Sequence, residues 1–189
     1  MPLLMPQQTR EERLAQLLRD RSVRTGEFVL ASGRRSTFYI DARVTTMSGE
    51  GLSLIGPLGL ERLDRRGWRP RLVGGLTLGA DPVAYAIALA AHAQGIELDA
   101  FTVRKAAKTH GTGRRIEGCF TPGARVAVVE DVITTGRSAL DAISAVLAAG
   151  GIVVGVLAVV DREEGGRAAI EAAGHQVEAL LTARDLGVG

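Results

Sequence analysis

Two adjacent carboxylates stand between an apolar run and a turn rich in hydroxyl groups and glycine, within residues 128–139. The carboxylates are Glu130 and Asp131, the turn covers residues 134–138, and an alanine-rich helical pattern follows it. This order predicts a strand, a loop and a helix N-terminus, where free N–H groups and the helix dipole favour a bound phosphate. Because carboxylates repel phosphate, we expect Glu130 and Asp131 to bind hydroxyl groups or a metal beside it. A phosphate next to a diol indicates a ribose 5-phosphate.

A structural interpretation of the same segment stays open. The acidic pair could be polar residues at the edge of a sheet, with Thr134 or Ser138 as the N-cap of the helix. The carboxylates, the turn and the start of the helix nevertheless fall in order within twelve residues. That order favours the phosphate-binding interpretation.

A basic segment, residues 104–118, is a second candidate for ligand binding. It carries five Lys or Arg side chains and His110 against the single carboxylate of Glu117. Such a run of charges is commonly a solvated loop. Its glycines and its position just before the phosphate turn favour another interpretation, in which it is a lid that closes on a di- or triphosphate.

Two further loops carry groups suited to a ligand. The glycines of residues 74–81 would let the backbone approach a second phosphate group, although the segment could equally be a tight turn with Asp81 as the helix N-cap. Arg162 follows a long apolar run and could pair bidentately with a planar carboxylate or imide. The alternative is an exposed ion pair between Asp161 and Arg162.

The elements that must position these groups follow an alternating pattern. From residue 71 onward the pattern predicts five strands and three helices, the strands at 71–75, 98–103, 125–129, 151–160 and 176–181 and the helices at 81–94, 136–149 and 166–173. Continuous Val and Ile runs suit strands covered on both faces, and the alternation implies an α/β fold with a doubly wound, mainly parallel sheet flanked by helices. Ligands bind beyond the carboxyl ends of such strands, so the loops after Val73, Val103, Val129 and Val160 should converge on one site.

The residues before this pattern predict a small annex. A helix over residues 9–21, with Thr9 as its cap, precedes two short strands at 28–30 and 37–41 and a helix over 47–66 whose glycines and proline leave its middle uncertain. We expect residues 1–70 to form an N-terminal helix-and-hairpin hood over the site. Residues 71–189 would form the α/β core of what is overall a single structural domain.

Composition narrows the possible partners. The 23 basic and 21 acidic residues give a net charge of only +2, and aromatic residues make up 4%, which argues against a nucleic-acid-binding surface. A single cysteine rules out an internal disulfide and a cysteine-based zinc site. With no signal peptide and no apolar stretch of roughly 20 residues, we expect a cytoplasmic protein with no membrane or nucleic-acid partner.

These segments resemble the type I phosphoribosyltransferases, whose hallmark is a strand that ends in two acidic residues and a Thr/Gly turn. Within that group the chain is similar to the orotate phosphoribosyltransferases. The resemblance covers most of residues 28–166 and rests on the acidic-pair segment and on residues 28–43, 104–111 and 160–166.

The resemblance implies the type I fold with a small N-terminal hood. It also implies transfer of the 5-phosphoribosyl group from phosphoribosyl pyrophosphate (PRPP) to orotate, which gives orotidine 5′-monophosphate and pyrophosphate in pyrimidine biosynthesis. A homodimer with a shared active site is implied, as is Mg²⁺ held mainly by the pyrophosphate, with no protein ligand assigned. Two alternatives are a phosphoribosyltransferase for another base and a non-catalytic regulator that senses PRPP.

The resemblance assigns roles residue by residue. The acidic pair would hold the ribose hydroxyls, Thr134 and Arg162 would bind orotate, and Lys105 would reach into the partner's site. The implied catalytic residues are Lys108, His110 and Asp131. The implied PRPP-binding residues are Arg104, Lys105, Lys108, His110, Glu130, Asp131, Val132, Ile133, Thr134, Thr135, Gly136, Arg137 and Ser138.

The chain departs from the family at two positions. Some members carry a lysine in the hairpin where this chain has Ala31, and another in the pyrophosphate turn where this chain has Thr77, Leu78 and Gly79. Those lysine roles cannot be transferred. Either the basic loop or Mg²⁺ covers the missing charge, or the chemistry is altered.

Overall fold

A helix, an antiparallel hairpin and two further helices form the N-terminal part of the chain. The computed structural model describes residues 8–29, 35–106 and 115–188. The N-terminal elements are α1 (Arg10–Arg21), β1 (Val23–Val29), β2 (Arg35–Ile40), α2 (Arg43–Thr46) and α3 (Gly49–Arg65). Thr9 and Glu12 form a reciprocal capping box at the start of α1, which confirms the predicted helix start.

The hairpin confirms the two predicted strands but begins earlier than residue 28. β1 starts at Val23, and five of its seven residues are exposed. A strand that buries so little carries no alternation of apolar and polar residues, so its first half could not be recognised from the sequence.

The helix α3 is continuous across its glycines and Pro57, where the prediction left its middle uncertain. Gly56 and Gly59 serve close packing against a neighbouring helix, α4 (Ala80–His92). A Cβ atom at Gly59 would lie 2.7 Å from Cδ1 of Ile87, and one at Gly56 would overlap the carbonyl oxygen of Ala86. The glycines therefore mark the contact between two helices and do not interrupt the helix that contains them.

Six strands form the central sheet, five of them parallel. They are β3 (Leu72–Leu76), β4 (Asp99–Val103), β5 (Ile116–Gly118), β6 (Arg125–Ile133), β7 (Ile152–Asp161) and β8 (Val177–Thr182). Their spatial order is β5-β4-β3-β6-β7-β8, and β5 pairs antiparallel with β4 at one edge. The sequence predicted all of residues 104–118 to be a loop, which is wrong for β5, because three residues gain their strand geometry only from pairing with β4.

Helices cover both faces of this sheet, which confirms the predicted α/β fold. One buried cluster joins the sheet to α3 and α4 and contains Val73, Val129 and Ile87. The other joins the opposite face to α5 (Arg137–Ala148) and α6 (Gly166–Ala172) and contains Val128 and Ile143. A short 3₁₀ helix, Arg184–Leu186, follows the last strand.

The N-terminal elements share the first of these two clusters. Leu14, Phe38 and Ile55 pack in the same buried group as Val73 of the sheet. The hood thus rests on the face of the sheet that carries α3 and α4, and the division at residue 70 remains a prediction.

Among the described residues, none of the helices combines the length and the apolar character that crossing a membrane requires.

Candidate active site

A cleft of about 860 Å³ opens at the carboxyl ends of four parallel strands. Its lining includes residues 76–79 after β3, Lys105 after β4, residues of 130–138 at the end of β6, and Arg162 after β7. The predicted convergence of four loops is therefore confirmed. The hood closes one side of the cleft with residues 39–43.

The acidic pair lies within β6, not after it. The sequence predicted the strand to end at Val129, but pairing with β7 continues as far as Ile133 opposite Asp161. Both carboxyls line the cleft, and they lie close enough for each to affect the pKa of the other. Glu130 helps to enclose a hollow at the start of α5, while Asp131 faces Gly79 at the start of α4.

Burial sets the protonation of this pair. Glu130 is only 6% exposed, and burial, together with the nearby charge of Asp131, raises the pKa of its carboxyl well above the ordinary value. Burial also raises the pKa of Asp131, but the backbone N–H of Val132, 2.9 Å from Asp131 Oδ1, acts in the opposite direction. Of the two carboxyls, Glu130 is thus the one that takes up a proton first as the pH falls.

A hollow of about 80 Å³ forms where β6 passes into α5, and it is enclosed by Glu130 and residues 132–139. The N-cap of α5 is Gly136, in the left-handed conformation (φ 77°), and no side chain caps the helix. The alternative that made Thr134 or Ser138 the helix cap is therefore wrong. A hollow of phosphate size at an uncapped helix N-terminus suits an anion.

The polar side chains around this hollow are free to meet a ligand. In the part of the chain that the structure describes, the hydroxyls of Thr134, Thr135 and Ser138 make no hydrogen bonds, and Arg137 has no acidic partner. Each of these side chains lines the large cleft.

The turn after β3 is tied to the neighbouring strand by Asp81. Thr77 Oγ1 donates to Asp81 Oδ2 at 2.7 Å, and Thr102 Oγ1 on β4 donates to Asp81 Oδ1 at 2.9 Å. The N-cap of α4 is Gly79, so the alternative with Asp81 as the helix cap is wrong. Asp81 instead fixes the turn against β4, which leads directly to Lys105.

Arg162 is buried and bound on several sides. Its Nη2 lies 2.6 Å from Glu164 Oε1, and it donates to Ser36 Oγ at 3.2 Å. Its guanidinium carbon lies 4.5 Å from the centre of the Phe38 ring. The alternative of an exposed Asp161–Arg162 pair is wrong, because Arg162 is 4% exposed and Asp161 accepts from Arg167 Nε at 2.8 Å. The hood strand β2 is thus fastened to the end of β7 through this arginine.

The basic segment contributes Lys105 to the cleft. Arg104 is outside the lining, and its Nη1 lies 3.8 Å from Glu117 Oε1. Two of the predicted catalytic residues, Lys108 and His110, lie outside the described residues. The roles predicted for these four side chains stay predictions.

No protein-family profile matches the chain. The orotate phosphoribosyltransferase of Mycobacterium avium is 51% identical over 178 residues, which cover 94% of this chain and 97% of that protein. The enzyme of the same name from Aquifex aeolicus is 46% identical over 178 residues, with 93% and 96% of the two chains covered. The chain belongs to the orotate phosphoribosyltransferase family.

The fold of the chain agrees with solved structures of the family. The Mycobacterium tuberculosis orotate phosphoribosyltransferase in complex with PRPP superimposes with a TM-score of 0.80 at 45% identity, over 95% of this chain and 100% of that one. The same enzyme in complex with Fe(III) dicitrate gives a TM-score of 0.84 at 49% identity, again with 95% and 100% covered.

One charged pair in the cleft was not predicted from the sequence. Asp41 and Arg43, at the end of the hood strand, both line it and form a bidentate ion pair. The alternation of an acid and a base two residues apart was visible in the sequence. What could not be read there is the turn into α2, which places both side chains at the cleft.

Proposed function

We propose that this chain transfers the 5-phosphoribosyl group of PRPP to orotate, giving orotidine 5′-monophosphate and pyrophosphate. One observation carries the assignment of the site: a phosphate-sized hollow, a pair of carboxylates and a buried arginine line one cleft. These three groups suit the 5-phosphate, the ribose and the base of the product. The 51% identity to the Mycobacterium avium enzyme supports the same reaction.

The loop at the start of α5 would bind the 5-phosphate. Backbone N–H groups of the first turn of α5 point toward such a ligand, and the helix dipole adds to the attraction. The hydroxyls of Thr134, Thr135 and Ser138 and the guanidinium of Arg137 would complete the phosphate contacts. The remaining members of the predicted set, Val132, Ile133 and Gly136, also line the hollow.

The acidic pair would hold the ribose. Ionised carboxylates accept hydrogen bonds from hydroxyl groups, and both side chains line the cleft directly beside the phosphate hollow. Loss of pyrophosphate from C1 leaves the sugar with oxocarbenium character, as in glycoside cleavage. A negative charge on Asp131 would stabilise that developing positive charge.

Arg162 and Thr134 would bind orotate. The guanidinium already lies over the Phe38 ring and is held by Glu164, so its orientation is fixed before the ligand arrives. An oriented cation suits the carboxylate of orotate, a group that purines and uracil lack. This difference favours orotate over the alternative of another base.

Cations would stabilise the negative charge that grows on the leaving pyrophosphate. Lys105 is the described residue of the basic segment that reaches the cleft of its own chain, and we propose that Lys108 and His110 act at the leaving group. Arg104 would join the PRPP contacts from the same segment, and Lys105 would act in the site of a partner subunit.

We propose Mg²⁺ as the metal, bound chiefly through the substrate. Among the described residues, no group of three or more His, Cys, Asp or Glu side chains could hold a metal ion. The two carboxylates at the cleft fit Mg²⁺, which commonly binds through one or two carboxylates and the phosphates of a substrate. Bound there, the ion would orient the pyrophosphate and neutralise part of its charge.

We also propose a cytoplasmic homodimer with a shared active site. The exposed apolar side chains of Leu78, Tyr85 and Leu89 support this proposal, since they are 55%, 53% and 70% exposed. Tyr85 and Leu89 stand one turn apart on the same face of α4, and Leu78 belongs to the turn that lines the cleft. A subunit that covered this face would come close to the active site.

A direct assay tests the function. The protein is mixed with Mg²⁺, PRPP and orotate, and the loss of orotate absorbance is followed, with hypoxanthine, adenine and uracil in parallel reactions. Of the four bases, we expect turnover only with orotate. Turnover with a purine and not with orotate would contradict the proposal and would indicate a phosphoribosyltransferase for another base. PRPP binding without turnover of any base would favour a PRPP-sensing regulator.

A further inference from the structure

Arg43 lies in the cleft but has no role in the reaction as described so far. Its side chain is 46% exposed, and it shares the lining with Gly79, Lys105 and Asp131. It belongs to the first turn of α2, which follows the hood strand β2. A half-exposed arginine at a cleft that receives a polyphosphate is a candidate ligand for that polyphosphate.

Asp41 fixes the orientation of this arginine. Arg43 Nε donates to Asp41 Oδ1 at 2.8 Å, and Arg43 Nη2 donates to Asp41 Oδ2 at 2.9 Å. The backbone N–H of Arg43 donates to the same Oδ1 at 3.2 Å. Two of the three guanidinium nitrogens are thus engaged, and Nη1 meets no acceptor in the described part of the chain. A planar guanidinium that is held in this way loses little further side-chain entropy when Nη1 binds an oxyanion.

The strand β2 leads from the residues that contact Arg162 to the Asp41–Arg43 pair. Early in the strand, Ser36 and Phe38 contact Arg162, at the end proposed for the base. The residues that follow line the cleft as far as Arg43, together with Asp131. The positive charge of Arg43 acts to lower the pKa of Asp131 against the effect of burial, which is consistent with this proximity.

The turn after β3 brings no cation of its own to the cleft. The turn of residues 76–79 contributes Thr77, Leu78 and Gly79 to the lining and no charged side chain. Arg137 belongs to the phosphate hollow and Arg162 to the base end. Of the described cations that line the cleft, Arg43 and Lys105 are the ones left for this turn.

We propose that Arg43, oriented by Asp41, binds the pyrophosphate group of PRPP through its free Nη1 edge. It supplies the positive charge that the turn of residues 76–79 lacks in this chain. The inference rests on the proposed function, in which PRPP is the substrate, and it adds a leaving-group ligand from the hood. The hairpin thereby contacts the base at one end of β2 and the pyrophosphate at the other.

Calorimetric titration of the full chain with two ligands tests this role. PRPP carries the pyrophosphate and ribose 5-phosphate lacks it, and both are titrated in the presence of Mg²⁺. For Arg43→Gln we expect the Kd of PRPP to rise about 10- to 100-fold, the effect of losing a hydrogen bond to a charged group. The Kd of ribose 5-phosphate is expected to stay within about twofold of the wild-type value. Arg35→Gln is the matched control, since Arg35 is an exposed arginine of the same hairpin outside the cleft lining.

Two further variants separate ligand binding from support of the fold. Arg43→Lys keeps the charge but lacks the second guanidinium edge, and Asp41→Asn keeps Arg43 but weakens its orientation. We expect both to weaken PRPP binding less than Arg43→Gln does, with thermal unfolding unchanged. Equal weakening of PRPP and ribose 5-phosphate in these variants, or unchanged PRPP binding, would overturn the proposal.

The titrations test the role of Arg43 separately from the turnover of orotate. Neither titration contains orotate, so a protein that binds PRPP but does not turn over orotate still gives a result for Arg43. If the wild-type chain binds ribose 5-phosphate as tightly as PRPP, no pyrophosphate site exists and the role of Arg43 is refuted.

Discussion

Gly79 lies at the closest approach between the turn after β3 and the acidic pair. Its backbone has helical dihedral angles (φ −62°, ψ −40°), which alanine adopts without strain. A Cβ atom at this position would lie 2.6 Å from Cγ of Asp131 and closer still to its Oδ1. Gly79→Ala therefore pushes directly on the carboxylate that is proposed to hold the ribose.

The size of the effect follows from the overlap. Ordinary van der Waals contact begins at 3.4 Å, so the Asp131 carboxyl must move by about 0.8 Å. A misplacement of about 1 Å in a site of this kind costs about 100-fold in rate, or about 2.7 kcal/mol. We expect kcat/KM for PRPP to fall by that factor. The contact involves a side chain and not a backbone atom, so the melting temperature should change by no more than about 4 °C.

Steady-state kinetics with orotate absorbance as the signal measure this loss, and thermal unfolding measures the fold. Gly49→Ala is the control, because Gly49 lies outside the cleft and a Cβ atom there would meet nothing within 4 Å. A double-mutant cycle adds a second check. If Gly79→Ala acts through Asp131, it should have almost no further effect in a protein that already carries Asp131→Ala.

Two results would refute the reasoning about Gly79. One is a kcat/KM for PRPP that stays within about threefold of wild type, since it would mean that the carboxylate tolerates the displacement. The other is full additivity of the two substitutions in the double-mutant cycle, since it would place the effect of Gly79 elsewhere.

Three further predictions concern protonation, base binding and helix packing. Burial raises the pKa of Glu130, so the wild-type fold loses stability as the pH rises from the ordinary value of 4.5 through the raised one. Glu130→Gln should raise the melting temperature of the ligand-free protein at pH 8 by about 2–4 °C, for a gain of about 1 kcal/mol in the free energy of unfolding. The difference from wild type should vanish below pH 4.5. A difference in thermal unfolding that does not depend on pH would contradict the burial of a charged carboxylate as its cause. Arg162→Met should raise the Kd of orotate by about 30-fold or more in titrations and leave PRPP binding unchanged. Arg162→Lys should not restore orotate binding, because a lysine cannot reproduce the planar guanidinium that stacks over the Phe38 ring. Gly59→Ala should lower the free energy of unfolding by about 1–3 kcal/mol in denaturant titrations through overlap with Ile87, whereas an unchanged free energy would mean that α3 and α4 separate easily.

Much of the fold could be predicted because the strands are covered on both faces. Runs such as Val126 to Val129 are apolar throughout, and their alternation with helical patterns specifies a parallel sheet. The carboxyl ends of those strands then specify where the loops meet. The bounds of strands without this signal were predicted wrongly. β1 buries little, and β5 forms only through its pairing with β4. The last residues of β6 are held in the strand by their pairing with β7.

The candidate site divides in a similar way. The acidic pair, the phosphate turn and Arg162 could be found because they follow apolar runs directly. The partners of these groups could not, because they depend on contacts between distant segments. Glu164 rather than Asp161 binds Arg162, and Phe38 reaches it across 124 positions of the chain. Arg43 was missed for the same reason, since the turn into α2 decides which way it faces.

Glu130 and Asp131 are neighbours within β6, but they approach different parts of the cleft. Glu130 lines the hollow in which the 5-phosphate is proposed to bind, whereas Asp131 lies against Gly79 in the turn after β3. Each carboxyl also affects the pKa of the other. A substitution at one acid therefore changes the protonation of its neighbour, so the effects of single substitutions in this pair are coupled.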